Sequence, residues 1–127
     1  MLLFRSMKES SDGLPEIGSS TRQLGVRPGI DVPAQNSSDL VWPGQGGMSV
    51  SPDDPAYLPA FRRPPEFGGT GNDPIWNIRD DELGQDLTYR PDPPRPNTHG
   101  FVEPRRPMTL LAYQIALANT QTGWNKL

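Results

Sequence analysis

Thr98-His99-Gly100-Phe101-Val102-Glu103-Pro104-Arg105-Arg106-Pro107-Met108 is the stretch on which the fold turns, because it leads straight into the one convincing helix of the chain. Residues 100–103 read as a strand. Side chains on a strand alternate between faces, so His99, Phe101 and Glu103 share one side and Val102 takes the other. Pro107 is predicted to open the helix, since a first-turn position has no use for the N–H that proline lacks. Beyond it Leu110, Tyr113 or Gln114, and Leu117 recur at helical spacing as one apolar stripe, flanked by Leu111 and Ile115. Gly123 is placed to stop the helix. A strand running into a single helix, in a chain whose other apolar segments are all short, points to an α+β domain. An imidazole and a carboxylate beside an apolar ring on one strand face form either a catalytic surface or an ordinary strand end.

Outward from this junction, Leu2-Leu3-Phe4-Arg5-Ser6-Met7 reads as a first strand. Leu3, Arg5 and Met7 fall on one face and Leu2, Phe4 and Ser6 on the other. Residues 8–38 are dominated by Gly, Pro, Ser and Asp. Within them Gly25-Val26-Arg27-Pro28-Gly29-Ile30-Asp31-Val32-Pro33 must turn repeatedly, because its prolines fix φ and its glycines permit φ > 0. Val41-Trp42 and Met48-Ser49-Val50-Ser51 are predicted to be extended around the turn Pro43-Gly44-Gln45-Gly46-Gly47. Ser49 and Ser51 then share a face opposite Met48 and Val50. Residues 52–73 are irregular, with a short helical turn expected at Asp54-Pro55-Ala56-Tyr57-Leu58. Ile75-Trp76-Asn77-Ile78 and Leu87-Thr88-Tyr89-Arg90 are predicted strands, separated by the acidic turn Asp80-Asp81-Glu82. The proline cluster from Pro91 to Pro96 lacks ladder donors and cannot be a central strand.

Composition bounds the reading. The chain has 127 residues, with 16 prolines, 13 glycines and 33% hydrophobic residues, which suits one small domain spanning residues 1–127 with long loops. A disordered chain of this kind usually carries a large net charge, and here the formal charge is only -3. The three tryptophans and the apolar helix favour a compact, loop-rich domain. With no cysteine there is neither a disulfide framework nor thiolate chemistry, and with one histidine no metal site is expected. Arg5 interrupts the apolar Met1-Leu2-Leu3-Phe4 too soon for a signal peptide or a membrane span. A cytoplasmic setting with no membrane partner is therefore expected. The slightly acidic charge argues against strong nucleic-acid binding. Ten of the 12 basic residues are arginine, whose planar fork suits carboxylate or phosphate; genome composition can produce the same bias.

Each polar candidate has a plain reading beside a functional one. Arg5, in an otherwise apolar strand, is either an edge residue paired with a carboxylate or a grip on a nucleotide phosphate or ribose. Ser6 can assist from the adjacent position. Gly46-Gly47 has neither the lysine nor the spacing of a phosphate loop. Ser49 and Ser51 are either exposed hydroxyls or hydroxyls facing a cleft. Ser49 or Ser51 with His99 and Glu103 has the residue types of a serine hydrolase without the nucleophile-elbow pattern. Glu103 can instead offset Arg105 and Arg106. The Asp80-Asp81-Glu82 turn reads as solvated.

Phe4-Arg5-Ser6 on a first strand, a glycine-rich loop into Gly47-Met48-Ser49-Val50, and Thr98-His99 with Pro104 and Pro107-Met108 before a C-terminal helix occur in that order along nearly the whole chain. This arrangement resembles the ADP-ribosyltransferase-like toxins delivered by type VI secretion and related bacterial domains. The resemblance implies a small split β-sheet of the ADP-ribosyltransferase type with NAD in its cleft, as substrate. It also implies that Arg5 and Ser49, with Ser51, hold NAD and that Glu103 is the late catalytic glutamate. Ser6 would assist at the cofactor, and His99 would orient the ribose or substrate. Cleaving the nicotinamide–ribose bond builds positive charge on the ribose, so a carboxylate on the 2′-hydroxyl stabilises the transition state more than the ground state. A toxin also implies a neutralising antitoxin or immunity protein, and an acceptor macromolecule of unknown kind. Two other functions fit the same residues. One is an RNA 2′-phosphotransferase of the same broad fold. The other is a non-enzymatic, proline-rich interaction domain, which predicts that Leu110 and Leu117 are exposed.

Overall fold

The computed structural model describes residues 1–127. In chain order its elements are β1 (Leu2–Ser6), β2 (Leu40–Val41), β3 (Met48–Pro52), β4 (Ile75–Arg79), β5 (Leu87–Pro91), β6 (Gly100–Pro104), β7 (Met108–Thr109), α1 (Leu110–Ala118) and β8 (Asn125–Lys126). Single 3₁₀ turns occur at Pro55–Tyr57, Ala60–Arg62, Pro65–Phe67, Asp80–Glu82 and Gln121–Gly123. Six strands form one antiparallel sheet in the order β5-β6-β3-β1-β4-β8, and β2 pairs with β7 beside it. This is an α+β domain built on a split sheet, with one helix near its C-terminal end.

The split lies between β1 and β3. β3 pairs with β1 only at Leu3↔Pro52 and Phe4↔Ser51, while its first half pairs with β6 at Met48↔Val102, Ser49↔Phe101 and Val50↔Gly100. Arg5 and Ser6 therefore have strand partners on one side only, Trp76 and Ile75 of β4. Backbone N–H and C=O groups alternate sides along a strand, so those of the opened stretch that face β3 must find other partners.

The face alternation predicted for β1 and β3 holds. Leu3, Met7, Met48 and Val50 join Trp76, Ile78, Leu87, Val102 and the inner side of α1 in the main core. Phe4, on the opposite face, packs with Leu58, Ile75 and Phe67 in a second, smaller cluster. Leu110 and Leu117 are buried, at 4% and 0% exposure, which is the opposite of what an interaction-only domain predicts. The long loops are ordered by their own bonds, since 37 of the 63 backbone hydrogen bonds lie outside helices and strands. Pro91 ends β5, an edge strand, where a missing ladder donor does no harm.

The helix departs from its predicted start. Pro107 is outside it, Met108 and Thr109 pair with Val41 and Leu40, and Thr109 is the N-cap, accepting from Ala112 N. The β2 partner comes from a distant part of the sequence and delays the helix by one short strand. Nor does Gly123 stop it: α1 ends at Ala118, and Gly123 closes the following 3₁₀ turn.

Tyr113 ties α1 to the sheet. Its hydroxyl donates to Val102 O and accepts from Met48 N at 3.1 Å, and burial pushes its pKa far above that of a free tyrosine. Tyr113→Phe removes both contacts and is expected to lower the unfolding free energy by about 1–3 kcal/mol, read from the urea midpoint. On alkaline titration followed by phenolate absorbance, the Tyr113 proton is expected to remain after the pH has passed the ordinary tyrosine value. The folded state then holds a proton that the unfolded chain loses. Stability from this group is complete below the ordinary tyrosine pKa and falls as pH rises above it.

Candidate active site

Arg5 fills the split from the β1 side. Its Nη1 donates across the gap to Ser49 O at 2.8 Å, its Nη2 to Gln23 O at 2.8 Å and Thr21 O at 3.3 Å, and its Nε to Gln23 O at 3.3 Å. The side chain is buried and no carboxylate partners it, so the plain expectation of an edge residue paired with an acid is corrected on both counts. Its fork can make five N–H donations, and these contacts leave one Nη1–H unassigned. Burial and the nearby Arg62 lower its pKa to about 10, which leaves it charged at neutral pH.

A cavity of about 260 Å³ opens at this gap, bordered by Arg5, Ser6, Ser49, Ser51 and His99. Five of the six residues singled out from sequence thus meet at one place. Arg27, Arg62 and Arg95 add three more cations, against Asp31 as the only carboxylate on the wall. Asp31 is itself occupied, accepting from Arg27 Nη2 at 2.9 Å and Arg27 N at 2.7 Å. The net effect is a positive cavity, suited to an anion. Tyr57 and Phe61, carried by 3₁₀ turns, stand at its edge, and Phe61 is 70% exposed. Arg63 knits this wall together by donating to Leu58 O at 2.9 Å and Phe67 O at 2.6 Å.

Glu103 lies elsewhere. It is buried and does not border the cavity; its carboxylate accepts from Gly44 N at 2.7 Å and Arg90 Nε at 2.9 Å. It offsets Arg90 rather than Arg105 or Arg106, the latter pairing with Asp86. Its face is the predicted one: Arg90 also covers the Phe101 ring at 4.9 Å, and that ring meets His99 edge-on at 5.0 Å. Sharing a face does not bring the ends together, because four residues of strand span about 13 Å. The carboxylate beside His99 is instead Asp92, whose Oδ2 lies 2.8 Å from Nδ1. A hydrolase constellation of Ser49 or Ser51 with His99 and Glu103 is therefore not assembled.

Several of these neighbours carry no signal in the sequence. Arg62, Asp31 and Phe61 arrive on loops whose path has no periodicity. Asp92 was legible in principle. It follows β5 and His99 precedes β6, and the two ends of a hairpin loop face each other, here joined by Asp92 N donating to His99 O at 3.0 Å.

The fold is an α+β domain on a split antiparallel sheet, with a positive, hydroxyl-bearing cavity at the split. A family model described as Tse2 ADP-ribosyltransferase toxin matches residues 2–125, and the chain belongs to this family. It is an ADP-ribosylating toxin domain, and the substrate that such transfer implies is NAD. No curated protein and no solved structure gave a significant match. No helix is long and apolar enough to cross a membrane, and no group of three or more His, Cys, Asp or Glu is placed to hold a metal ion.

Proposed function

We propose that NAD binds at the cavity in the split of the sheet, as the substrate from which this toxin takes ADP-ribose. The observation that carries this is the partly free Arg5 guanidinium in a wall with four arginines and a single, already paired acid. Ser6, Ser49 and Ser51 offer hydroxyls to the nicotinamide ribose from both sides of the gap. A cavity of about 260 Å³ is below the usual range for whole ligands, so it takes one half of the dinucleotide. The diphosphate then meets Arg62 and Arg95, and the other half extends over Tyr57 and Phe61. His99 is the catalytic residue, and Asp92 is its partner.

Glu103 is assigned to holding the turn at Gly44 against Arg90. Glu103→Gln keeps an acceptor for Gly44 N but removes the charge facing Arg90. It is expected to lower the unfolding free energy by about 1–3 kcal/mol while leaving NAD turnover within a few-fold of wild type. A loss of turnover beyond tenfold, with the fold intact, returns the catalytic role to Glu103.

Residues 1–127 act as one domain in this account, working in the cytoplasm of the producing or target cell. A cognate immunity protein restrains it, and the acceptor is a macromolecule of that compartment. Calorimetric titration with NAD, followed by chromatography of the products, tests the function. Saturable binding and release of nicotinamide are expected, and neither binding nor release overturns the assignment. Product analysis with 2′-phosphorylated RNA separates this activity from a 2′-phosphotransferase.

A further inference from the structure

The loop joining β5 to β6 is a preformed clamp. Asp92 N donates to His99 O at 3.0 Å, Arg95 N to Asp92 O at 3.0 Å, and Thr98 N and His99 N return to Arg95 O at 3.2 and 3.0 Å. It sets the Asp92 carboxylate against His99 Nδ1 at 2.8 Å, with both side chains largely buried. The Phe101 ring meets the imidazole edge-on at an interplanar angle of 81°, which fixes the ring plane as well. An ionised carboxylate only accepts hydrogen bonds, so Nδ1 is the nitrogen that carries the proton. Nε2, the other ring nitrogen, has no hydrogen-bond partner in the protein, and His99 borders the cavity.

We propose that Asp92 is a positioning residue that holds His99 as an Nε2 base at the cavity, and that the group attacked by this base is an oxygen nucleophile, a hydroxyl or water. The inference rests on NAD occupying the cavity. The nicotinamide C1′–N bond breaks and its electron pair returns to the ring, which leaves as neutral nicotinamide. The oxygen nucleophile bonds to C1′, and its proton passes to His99 Nε2. The resulting imidazolium is stabilised by Asp92 and later releases its proton to solvent. A guanidinium or ammonium acceptor does not suit this site. It would need a free carboxylate to align it, and the wall offers four arginines with only the paired Asp31.

The chain has a single histidine, so its tautomer can be read without ambiguity by long-range proton–nitrogen NMR. With neutral imidazole, the expected spectrum shows Nδ1 protonated and Nε2 bare; an Nε2–H form or an even mixture overturns the proposal. In turnover, Asp92→Asn is expected to lower kcat about 10²-fold with KM for NAD within about twofold, and Asp92→Glu to restore part of the rate. An unchanged kcat in a folded Asp92→Asn overturns the positioning role. With wild type, added methanol is expected to divert product from ADP-ribose to O-methyl ADP-ribose, while agmatine gains no ADP-ribose. Agmatine modified ahead of methanol and water overturns the oxygen-nucleophile assignment. ADP-ribose alone, growing no methyl adduct as methanol rises, identifies water held at the site as the nucleophile and supports it. Wild type that neither binds nor consumes NAD fails in a different way, by removing the reading on which this one rests.

Discussion

Arg5→Ala is expected to lower the unfolding free energy by about 2–4 kcal/mol and to abolish measurable NAD binding. The stability loss follows from its acceptors. Ser49 O, Gln23 O and Thr21 O all receive N–H groups of this one side chain, and Ser49 O lies across the split from it. A buried acceptor left without a donor costs about 1–3 kcal/mol. Two effects reduce the sum: water from the cavity reaches some of the freed carbonyls, and Arg62 also donates to Thr21 O. Removing a buried charge works in the other direction, and the lowering of its pKa to about 10 reflects that burden. Three carbonyls losing donors at once outweigh it. Against a total of about 5–15 kcal/mol for a typical domain, such a change moves the urea midpoint clearly. Arg5→Lys keeps the charge and some of the donors. It is expected to recover part of the stability but little of the NAD affinity, because an ammonium cannot span the gap and present a spare donor together. Equal urea midpoints for wild type and Arg5→Ala would contradict the bridging role.

His99→Ala carries the largest expected effect on rate. A positioned base contributes about 10²–10⁴-fold, and His99 is the only imidazole in the chain. NAD consumption is expected to fall within that range while NAD affinity, measured by calorimetry, changes no more than a few-fold. The side chain also touches Phe101 edge-on, so a modest loss of stability accompanies the change. Affinity and rate falling together would instead mark His99 as a binding residue. Glu103→Gln is the matching control, because Glu103 shares the strand face but not the cavity.

Local pattern made much of this fold legible. Alternation in Met48-Ser49-Val50-Ser51 and in Leu3-Phe4-Arg5-Ser6 is a local property, and it put the right side chains on the right faces. The helix stripe was equally plain, since Leu110, Tyr113 and Leu117 are buried and Leu111 and Ile115 are exposed. Long-range pairing was not legible. The helix start was misplaced because Met108 and Thr109 are claimed by Leu40 and Val41. β8 is only two polar residues, Asn125 and Lys126, with no pattern to detect, and it exists because β4 offers an edge.

The site shows the same division. Arg5, Ser6, Ser49, Ser51 and His99 converge because their strands are neighbours around the split. The acid partner expected of Arg5 as an edge residue is absent. Loop carbonyls take that place, and backbone carbonyls leave no trace in a list of side chains. The family resemblance and a strand face shared with His99 put Glu103 forward as the catalytic glutamate, but it does not border the cavity, because about 13 Å of strand separates the two positions. Asp92, seven residues before His99 in a proline-rich hairpin, supplies the nearby carboxylate.

The most direct test is a crystal structure with a non-cleavable NAD analogue bound. The nicotinamide ribose is expected in the split between β1 and β3, near Arg5 Nη1 and the Ser49 and Ser51 hydroxyls, with the diphosphate beside Arg62 or Arg95. Analogue bound instead in the smaller depression between Gly84 and Asn119, or bound nowhere at saturating concentration, would contradict the account.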